Sequence, residues 1–578
     1  MDLLILAACL FFAFWWQAMQ VKLPLHPDTG LFIYRGVMEK EGISLEPKLF
    51  IKPDRDYFCA EGYFPTQSKD IIYHLFRLWR KFTSGDIKTY RYYYAVYNLF
   101  TVLMLYITAS CYLNTTAGLI AAWIYAVYSA SPFADTAQLH AENYANLLIL
   151  AALFFSWQGL QHQSLLMIYL AGMVMGFLVI SFKITYLFET LALWLAFIIL
   201  PPHYSLAGAY SLGFVSFIVL MLAYYLRKGW WQFFWAWCNP RRLWHYRKVP
   251  ARNYGTQPAV RIKNLLERKY LVFAAQTGFL WFGLLACLYC NFAKFFTAPG
   301  IFLGCLLIGS FFNIVVQGKY YSSHFLAALP VISIISAWGL ISIIQEPASI
   351  YNSAAITVGT LLLIISLQQL AGYLFRYNPL EFFLKFYHLL RHDHILAFLA
   401  AEVIASYIQE RTVAQDKILM LGYNAELFGL ARRRAALGRL EFPLCIDPVI
   451  NDRYIGPEWQ DWLVESIRRD RPKYIADLDG SLDLEALCSA SGLTYRLERL
   501  FYGLFPLYAL TLEDCPRENR QPAPAGIINL EAACKQKQVN LARWFLEQPF
   551  SKKSQNYPDA IKDLCQDWCA LNKVALAQ

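Results

Sequence analysis

Charged residues are scarce in this chain of 578 residues, because Asp, Glu, Lys and Arg together make up only 16%. Soluble domains carry about 25%. Hydrophobic residues make up 57% of the chain and aromatic residues 17%. So little polar material cannot cover so much apolar surface in a soluble fold. The same figures exclude a disordered chain, a collagen, a coiled coil and a small disulfide scaffold. The sequence predicts a polytopic α-helical membrane protein.

Acidic residues are few before residue 374. Residues 1–373 hold 26 Lys or Arg against 15 Asp or Glu, whereas residues 374–578 hold 25 against 26. The positive excess therefore belongs to the apolar part of the chain, where it favours lipid headgroups or a phosphate-bearing substrate. Residues 374–578 have no basic patch, which argues against nucleic acid as a partner.

The first apolar run lacks both a preceding basic segment and a small-residue cleavage site. We therefore interpret it as a retained helix rather than a signal peptide. The 13 cysteines form no evident set of metal ligands. Six of them follow residue 374 and permit disulfides there, although their spacing does not fix a pairing.

About eleven apolar runs are candidates for membrane-spanning helices. They lie near residues 3–20, 93–111, 116–133, 143–160, 164–181, 186–200, 206–226, 270–290, 298–316, 324–344 and 353–373. Three connections are long: 21–92, 227–269 and the tail from 374. If the helices alternate across the bilayer, an odd number of spans places all three on one side. We expect that side to carry the chemistry.

The sequence therefore predicts two domains. Residues 1–373 form a transmembrane domain, and residues 374–578 form an α/β domain that ends in a helical appendage after Pro524. Hydrophobic periodicity within the tail predicts helices and strands. The helices are expected at 379–410, 425–433 and 457–469, and the strands at 417–421, 473–477, 495–500 and 505–510.

Polar residues that could carry chemistry gather at helix ends on the side of the long loops. They are Asp28 after the first span, Arg91 before the second, His140 and Glu142 at the start of the fourth, Lys183 at the end of the fifth, and Lys319 and His324 around the start of the tenth. Each alone has an ordinary explanation, as a helix cap for Asp28 or as a snorkelling cation. Together they predict a ring of carboxylates and cations at one membrane surface.

In order and spacing, these motifs resemble the C-type glycosyltransferases (GT-C), in the branch of protein O-mannosyltransferases and lipid A aminoarabinose transferases. The resemblance extends to about Leu510. It rests on His26-Pro-Asp-Thr-Gly30, Tyr90-Arg-Tyr92, Ala121-Ala122 through Pro132 to Ala141-Glu142, Lys183, Lys319 through His324 before Leu326-Ala-Ala-Leu-Pro330, Lys417-Ile-Leu-Met-Leu-Gly-Tyr423 and Arg471-Pro-Lys-Tyr-Ile475. The chain departs from the family at Thr29, where a second acidic residue usually follows the first.

The resemblance implies transfer of a sugar from a polyprenyl-phosphate donor to an extracytoplasmic lipid, glycan or protein. It implies a multi-pass protein of the inner membrane whose C-terminal domain is periplasmic. Asp28 would be the base that deprotonates the acceptor. Lys183, Arg91 and Lys319 would stabilise the leaving phosphate. Glu142, His140 and His324 would orient the acceptor. The sequence requires no cofactor. Glu142 and His140 could alternatively bind a divalent metal ion.

Two alternative functions stay in view: a lipid-linked glycan ligase or oligosaccharyltransferase, and a non-catalytic lipid or solute transporter. Transporters tend to have internal repeats and ionisable groups near the bilayer midplane. This sequence shows no clear repeat, and its charges gather at helix ends. The positive-inside rule gives the opposite orientation, since residues 227–269 are basic and Lys294 is the only basic residue in the short turns that would face the cytoplasm. We keep the family orientation because it brings the candidate residues to one surface.

Overall fold

The computed structural model describes residues 1–22, 25, 29–30, 34, 75, 78, 89–130, 140–200, 204–229, 277–317, 322–345, 353–354, 356–364, 395–422, 424, 426–436, 458–478, 482–502, 505–511, 563, 566–567 and 570–571. The chain divides into two compact units. The first comprises Met1–Val21, Gln67–Ile72 and Thr89–Arg376. The second comprises Lys22–Thr66, Tyr73–Lys88 and Tyr377–Gln578. Seven described residues from the predicted loop 21–92 thus group with the C-terminal unit: Lys22, Leu25, Thr29, Gly30, Tyr34, Leu75 and Leu78.

The first unit is helical throughout its described part. Its α-helices are α1 (Asp2–Ala18), α2 (Tyr90–Tyr112), α3 (Thr115–Ser129), α4 (Ala141–Gln161), α5 (Leu165–Ser181), α6 (Leu187–Ile199), α7 (Tyr204–Arg227), α8 (Gly278–Cys290), α9 (Ala298–Gln317) and α10 (Leu329–Gln345). Short 3₁₀ helices lie at Met19–Lys22, Ile184–Tyr186, Phe292–Phe296 and Ser322–Ala327. Residues 353–354 and 356–364 are also helical.

Every predicted span contains one of these helices, which confirms a mostly helical chain. Within the described residues, four helical segments are long and apolar enough to cross a membrane by length and composition: Asp2–Val21, Tyr90–Tyr112, Tyr204–Arg227 and Ala298–Gln317. Five shorter apolar helices accompany them. The total of eleven crossings stays a prediction.

Local signals in the sequence set the helix boundaries. The Asn114 side chain accepts a hydrogen bond of 2.9 Å from the backbone N–H of Ala117 and caps α3. The Ser164 hydroxyl accepts one of 3.4 Å from Met167 and caps α5. Each cap satisfies an N–H that has no partner inside its helix. These caps close the short turns that make α2–α3 and α4–α5 antiparallel neighbours.

Small residues allow the helices to pack closely. A Cβ atom on Gly172 of α5 would lie 2.0 Å from the carbonyl oxygen of Tyr210 in α7. A Cβ atom on Gly213 of α7 would lie equally close to the carbonyl oxygen of Tyr169 in α5. Such contacts between backbones are typical of helices packed within a membrane. The outer surface of α7 is apolar, with exposed Leu212, Val215, Val219 and Leu220, as expected of a surface that faces lipid.

The second unit contains the predicted α/β sheet. Helix α11 (Ile395–Arg411) is followed by β1 (Lys417–Leu421), α12 (Glu426–Ala431), β2 (Arg434–Ala435), α13 (Glu458–Asp470), β3 (Tyr474–Asp477), α14 (Leu484–Ser491), β4 (Tyr495–Phe501) and β5 (Phe505–Leu510). The strand order is β2-β1-β3-β5-β4. Strand β1 pairs in parallel with β2 and β3, whereas β5 pairs antiparallel with β3 and β4. The core contains Leu419, Leu421, Ile467, Ile475 and Leu487.

The four predicted strands are confirmed, while β2 and α14 were not expected. The helix predicted over 379–410 is described from Ile395 onwards. Asp483 caps α14, because its side chain accepts a hydrogen bond of 3.0 Å from the backbone N–H of Ala486. Gly492 ends that helix in the left-handed conformation, at φ 67°. The predicted appendage lies outside the described residues, apart from helical positions 563, 566–567 and 570–571.

Candidate functional site

The first unit contains a buried ion pair between two of the predicted site residues. The Nζ atom of Lys183 lies 2.7 Å from Oε1 of Glu142. The Glu142 side chain is 6% exposed and the Lys183 side chain 21%. The carboxylate is therefore enclosed, while the ammonium keeps partial access to its surroundings. A cation held in this way can exchange a protein carboxylate for the phosphate of a bound ligand.

Three chain elements place this pair. Glu142 lies in the first turn of α4, where an acidic side chain interacts favourably with the free N–H groups of a helix start. Lys183 follows the end of α5 in an extended conformation, at φ −161° and ψ 128°. It caps the 3₁₀ helix Ile184–Tyr186, since its carbonyl accepts a hydrogen bond of 3.1 Å from the Tyr186 N–H. The lysine thus stands at a junction of two helical segments rather than inside one.

Two predicted histidines accompany the pair. His140 is the N-cap residue of α4, two positions before Glu142, and its carbonyl accepts a hydrogen bond of 3.1 Å from Asn143. His324 lies in the 3₁₀ helix Ser322–Ala327, which packs against α4. Both histidines are buried, and each has a favourable electrostatic interaction with the Glu142 carboxylate. The structure therefore brings four of the predicted residues into one electrostatic cluster.

Arg91 makes contacts of a different kind. It is buried in α2, and its Nη1 donates hydrogen bonds of 3.2 and 3.1 Å to the carbonyl oxygens of Gln20 and Val21. The Gln20 side chain in turn donates to the carbonyl of Ala130, just after α3. Through these bonds Arg91 holds the point where the chain leaves α1. Its role at a phosphate stays a prediction.

The remaining two predicted residues, Asp28 and Lys319, lie outside the described residues. Among the residues that are described, no group of three or more His, Cys, Asp or Glu side chains is placed to hold a metal ion.

Sequence reasoning missed Glu189. This residue lies in the first turn of α6 and is 0% exposed. Its Oε1 accepts a hydrogen bond of 2.7 Å from the side chain of Asn313 in α9. Glu189 also interacts favourably with the charge of Lys183. An acidic residue within the apolar run Leu187-Phe-Glu-Thr-Leu-Ala192 is a signal that could have found it, because a carboxyl group inside a membrane bundle is costly unless it has a function or a partner.

Comparisons with known proteins bear on the fold. No protein-family model and no curated protein matches the chain. Among solved structures, it is similar to ArnT from Cupriavidus metallidurans bound to undecaprenyl phosphate, with 15% identity and a TM-score of 0.53 over 88% of this chain and 97% of that one. The apo structure of the same protein has 14% identity and a TM-score of 0.52, over the same shares of the two chains. The chain is also similar to an oligosaccharyltransferase from Archaeoglobus fulgidus, with 13% identity and a TM-score of 0.49 over 89% of this chain and 75% of that one.

ArnT is a lipid A aminoarabinose transferase of the GT-C superfamily. The chain thus has the same fold as ArnT along most of its length. This similarity confirms, at the level of the fold, the resemblance predicted from the order and spacing of the motifs.

Proposed function

We propose that this protein is a membrane glycosyltransferase that takes a sugar from a polyprenyl-phosphate donor and transfers it to an extracytoplasmic lipid, glycan or protein. The buried Glu142–Lys183 ion pair is the observation that supports this most strongly. A partly exposed cation fixed at a helix junction suits a phosphate ligand. The similar fold of ArnT, described in complex with undecaprenyl phosphate, supports the choice of a polyprenyl phosphate.

In the proposed reaction, an acceptor hydroxyl attacks the anomeric carbon of the sugar. Asp28 takes the proton of that hydroxyl as general base. The bond between the anomeric carbon and the phosphate oxygen breaks, and its electron pair stays on the leaving phosphate. Lys183, with Lys319 and Arg91 as further cations, stabilises the charge that develops there.

Glu142, His140 and His324 orient the acceptor in this proposal. When the donor phosphate binds the Lys183 ammonium, it replaces the Glu142 carboxylate, which lies 2.7 Å from Lys183 in the structure. A buried carboxylate then needs a new hydrogen-bond donor. An acceptor hydroxyl supplies one, so that donor binding prepares the acceptor site.

Replacement of the proposed base tests the function. Asp28→Asn should reduce transfer from an undecaprenyl-phosphate sugar by about 100-fold or more, the scale for loss of an acid–base group. Binding of undecaprenyl phosphate should persist, because the amide has nearly the same size as the carboxyl. Mass spectrometry of the lipid bound to the purified protein would identify the donor. Near-normal transfer by the variant would leave Asp28 as a helix cap.

A further inference from the structure

Three buried side chains of α6 and α9 form a continuous hydrogen-bonded chain beside the ion pair. Gln317 Nε2 donates to Asn313 Oδ1 at 2.8 Å, and Asn313 Nδ2 donates to Glu189 Oε1 at 2.7 Å. All three residues are at most 2% exposed. Both amide donors point along the chain toward the carboxyl group of Glu189, which is the terminal acceptor.

Helices α6 and α9 are packed so closely at this point that the three hydrogen-bonded side chains have little room to move. A Cβ atom on Gly309 of α9 would lie 2.8 Å from the Phe188 carbonyl oxygen and 2.7 Å from Cβ of Ala192. Glycine at 309 therefore permits the approach that brings Asn313 within hydrogen-bond distance of Glu189. Hydrogen bonds between buried side chains of two helices help to fix the relative position of those helices.

The position of Glu189 is passed on to Lys183 through a short and stiff stretch of chain. The 3₁₀ helix Ile184–Tyr186 continues directly into α6. The Tyr186 N–H bonds the Lys183 carbonyl at 3.1 Å, and the Thr190 hydroxyl bonds the Tyr186 carbonyl at 2.9 Å. The Glu189 carboxyl is also within electrostatic range of the Lys183 ammonium. A shift of Glu189 would thus move the lysine.

We propose that Glu189 is a positioning residue, which the Gln317–Asn313–Glu189 chain fixes so that Lys183 is held at the donor-phosphate site. The inference rests on the proposed function, because it assigns Lys183 a phosphate ligand. It goes beyond that function by giving a role to a buried acidic residue that touches neither donor nor acceptor.

The test measures binding of undecaprenyl phosphate to the purified full-length protein in lipid nanodiscs. Glu189→Leu removes the terminal acceptor and should weaken binding at least fivefold. Glu189→Gln keeps an acceptor oxygen for Asn313, so its affinity should stay within twofold of that of the wild type. If only the charge of Glu189 mattered, the Leu and Gln variants would behave alike, which would overturn the proposal.

The effect should depend on Lys183. In a Lys183→Met background, the difference between Glu189 and Leu at position 189 should vanish, because the group that is positioned is gone. Asn291→Leu is the matched control, since it breaks a buried hydrogen bond of 2.6 Å to Ser342 between other helices of the same unit. It should change binding less than twofold. Additive losses in the double variant would refute a positioning role.

Gln317→Met tests the positioning role of Glu189 if the Glu189→Leu variant does not fold. It removes the hydrogen bonds that Gln317 donates to the side-chain and backbone oxygens of Asn313, and it leaves the Asn313–Glu189 bond in place. The variant should weaken binding at least twofold, again only when Lys183 is present. Unchanged binding in this variant would overturn the proposal. A wild-type protein that does not bind undecaprenyl phosphate would instead overturn the proposed function, and the inference with it.

Discussion

Removal of the Lys183 ammonium is the most informative perturbation of the proposed site. In Lys183→Met the phosphate would lose one fixed cation. The loss of a single preorganised electrostatic partner costs about 2–4 kcal/mol of transition-state free energy. This corresponds to a rate reduced roughly 30- to 900-fold, at 1.36 kcal/mol for each factor of ten. Lys183→Arg should recover only part of the rate, because a planar guanidinium replaces a compact ammonium.

The structure predicts a second consequence of the same substitution. Glu142 would remain buried without its partner, and breaking a buried ion pair destabilises proteins by about 3–5 kcal/mol. The partial exposure of Lys183 reduces this figure, since water screens the pair. Thermal unfolding of the detergent-solubilised protein should show the loss. Glu142→Gln added to Lys183→Met should restore stability but not transfer.

Single-turnover rates at saturating donor separate chemistry from binding and folding. Only the folded fraction, isolated by size-exclusion chromatography, is assayed. Lys294→Met is the matched control, because Lys294 is an exposed lysine in the turn between α8 and α9. It should leave the rate unchanged. Equal rates for the wild type and for the Met and Arg variants at position 183 would remove Lys183 from the site.

Two further predictions concern orientation and pH. An impermeant thiol reagent applied to intact cells should label Gly255→Cys and Gly480→Cys but not Thr116→Cys in a cysteine-free background; labelling of Thr116→Cys alone would reverse the topology. In the α/β unit, partial burial opposes ionisation of Asp470, but hydrogen bonds from Arg469 and Lys417 outweigh it and hold the pKa of Asp470 below its ordinary value. Its ionised form therefore stabilises the folded state above about pH 4. This contribution is lost as the pH falls through the lowered pKa. Amide exchange in β1 of the full-length protein should show Asp470→Asn to be more destabilising at pH 7 than at pH 3, and an equal effect at both values would contradict the assignment.

Apolar runs and strand patterns predicted most elements of the fold. Lys417–Leu421 and Phe505–Leu510 were predicted with the bounds that the structure gives, since four or five apolar residues in a row favour a buried strand. Strand β2 has only two residues, Arg434 and Ala435, and so short a segment carries no periodic signal. The short helix α14 was readable from its Asp483 cap and Gly492 stop.

The candidate site was only partly predictable from the sequence. Helix alternation put Glu142 and Lys183 at the same surface, but the ion pair depends on the meeting of α4 with the junction after α5, which packing decides. Glu189 and Asn313 are 124 positions apart, and nothing in the sequence alone indicates that they share a hydrogen bond. Long-range pairs of this kind become visible only when the helices are assembled.

The charge balance of the ion pair explains why a half-buried lysine suits the proposed reaction. Before the donor binds, Glu142 neutralises the charge of Lys183. The helix bundle therefore does not contain an unpaired charge, which would be costly. A sugar phosphodiester brings one negative charge, and cleavage of its bond to the sugar adds a second. The attraction to Lys183 therefore grows as the bond breaks. An interaction that is stronger in the transition state than in the bound donor raises the rate and does not merely tighten binding. The Glu142 carboxylate must accordingly give up its hydrogen bond of 2.7 Å to Lys183 when the donor binds.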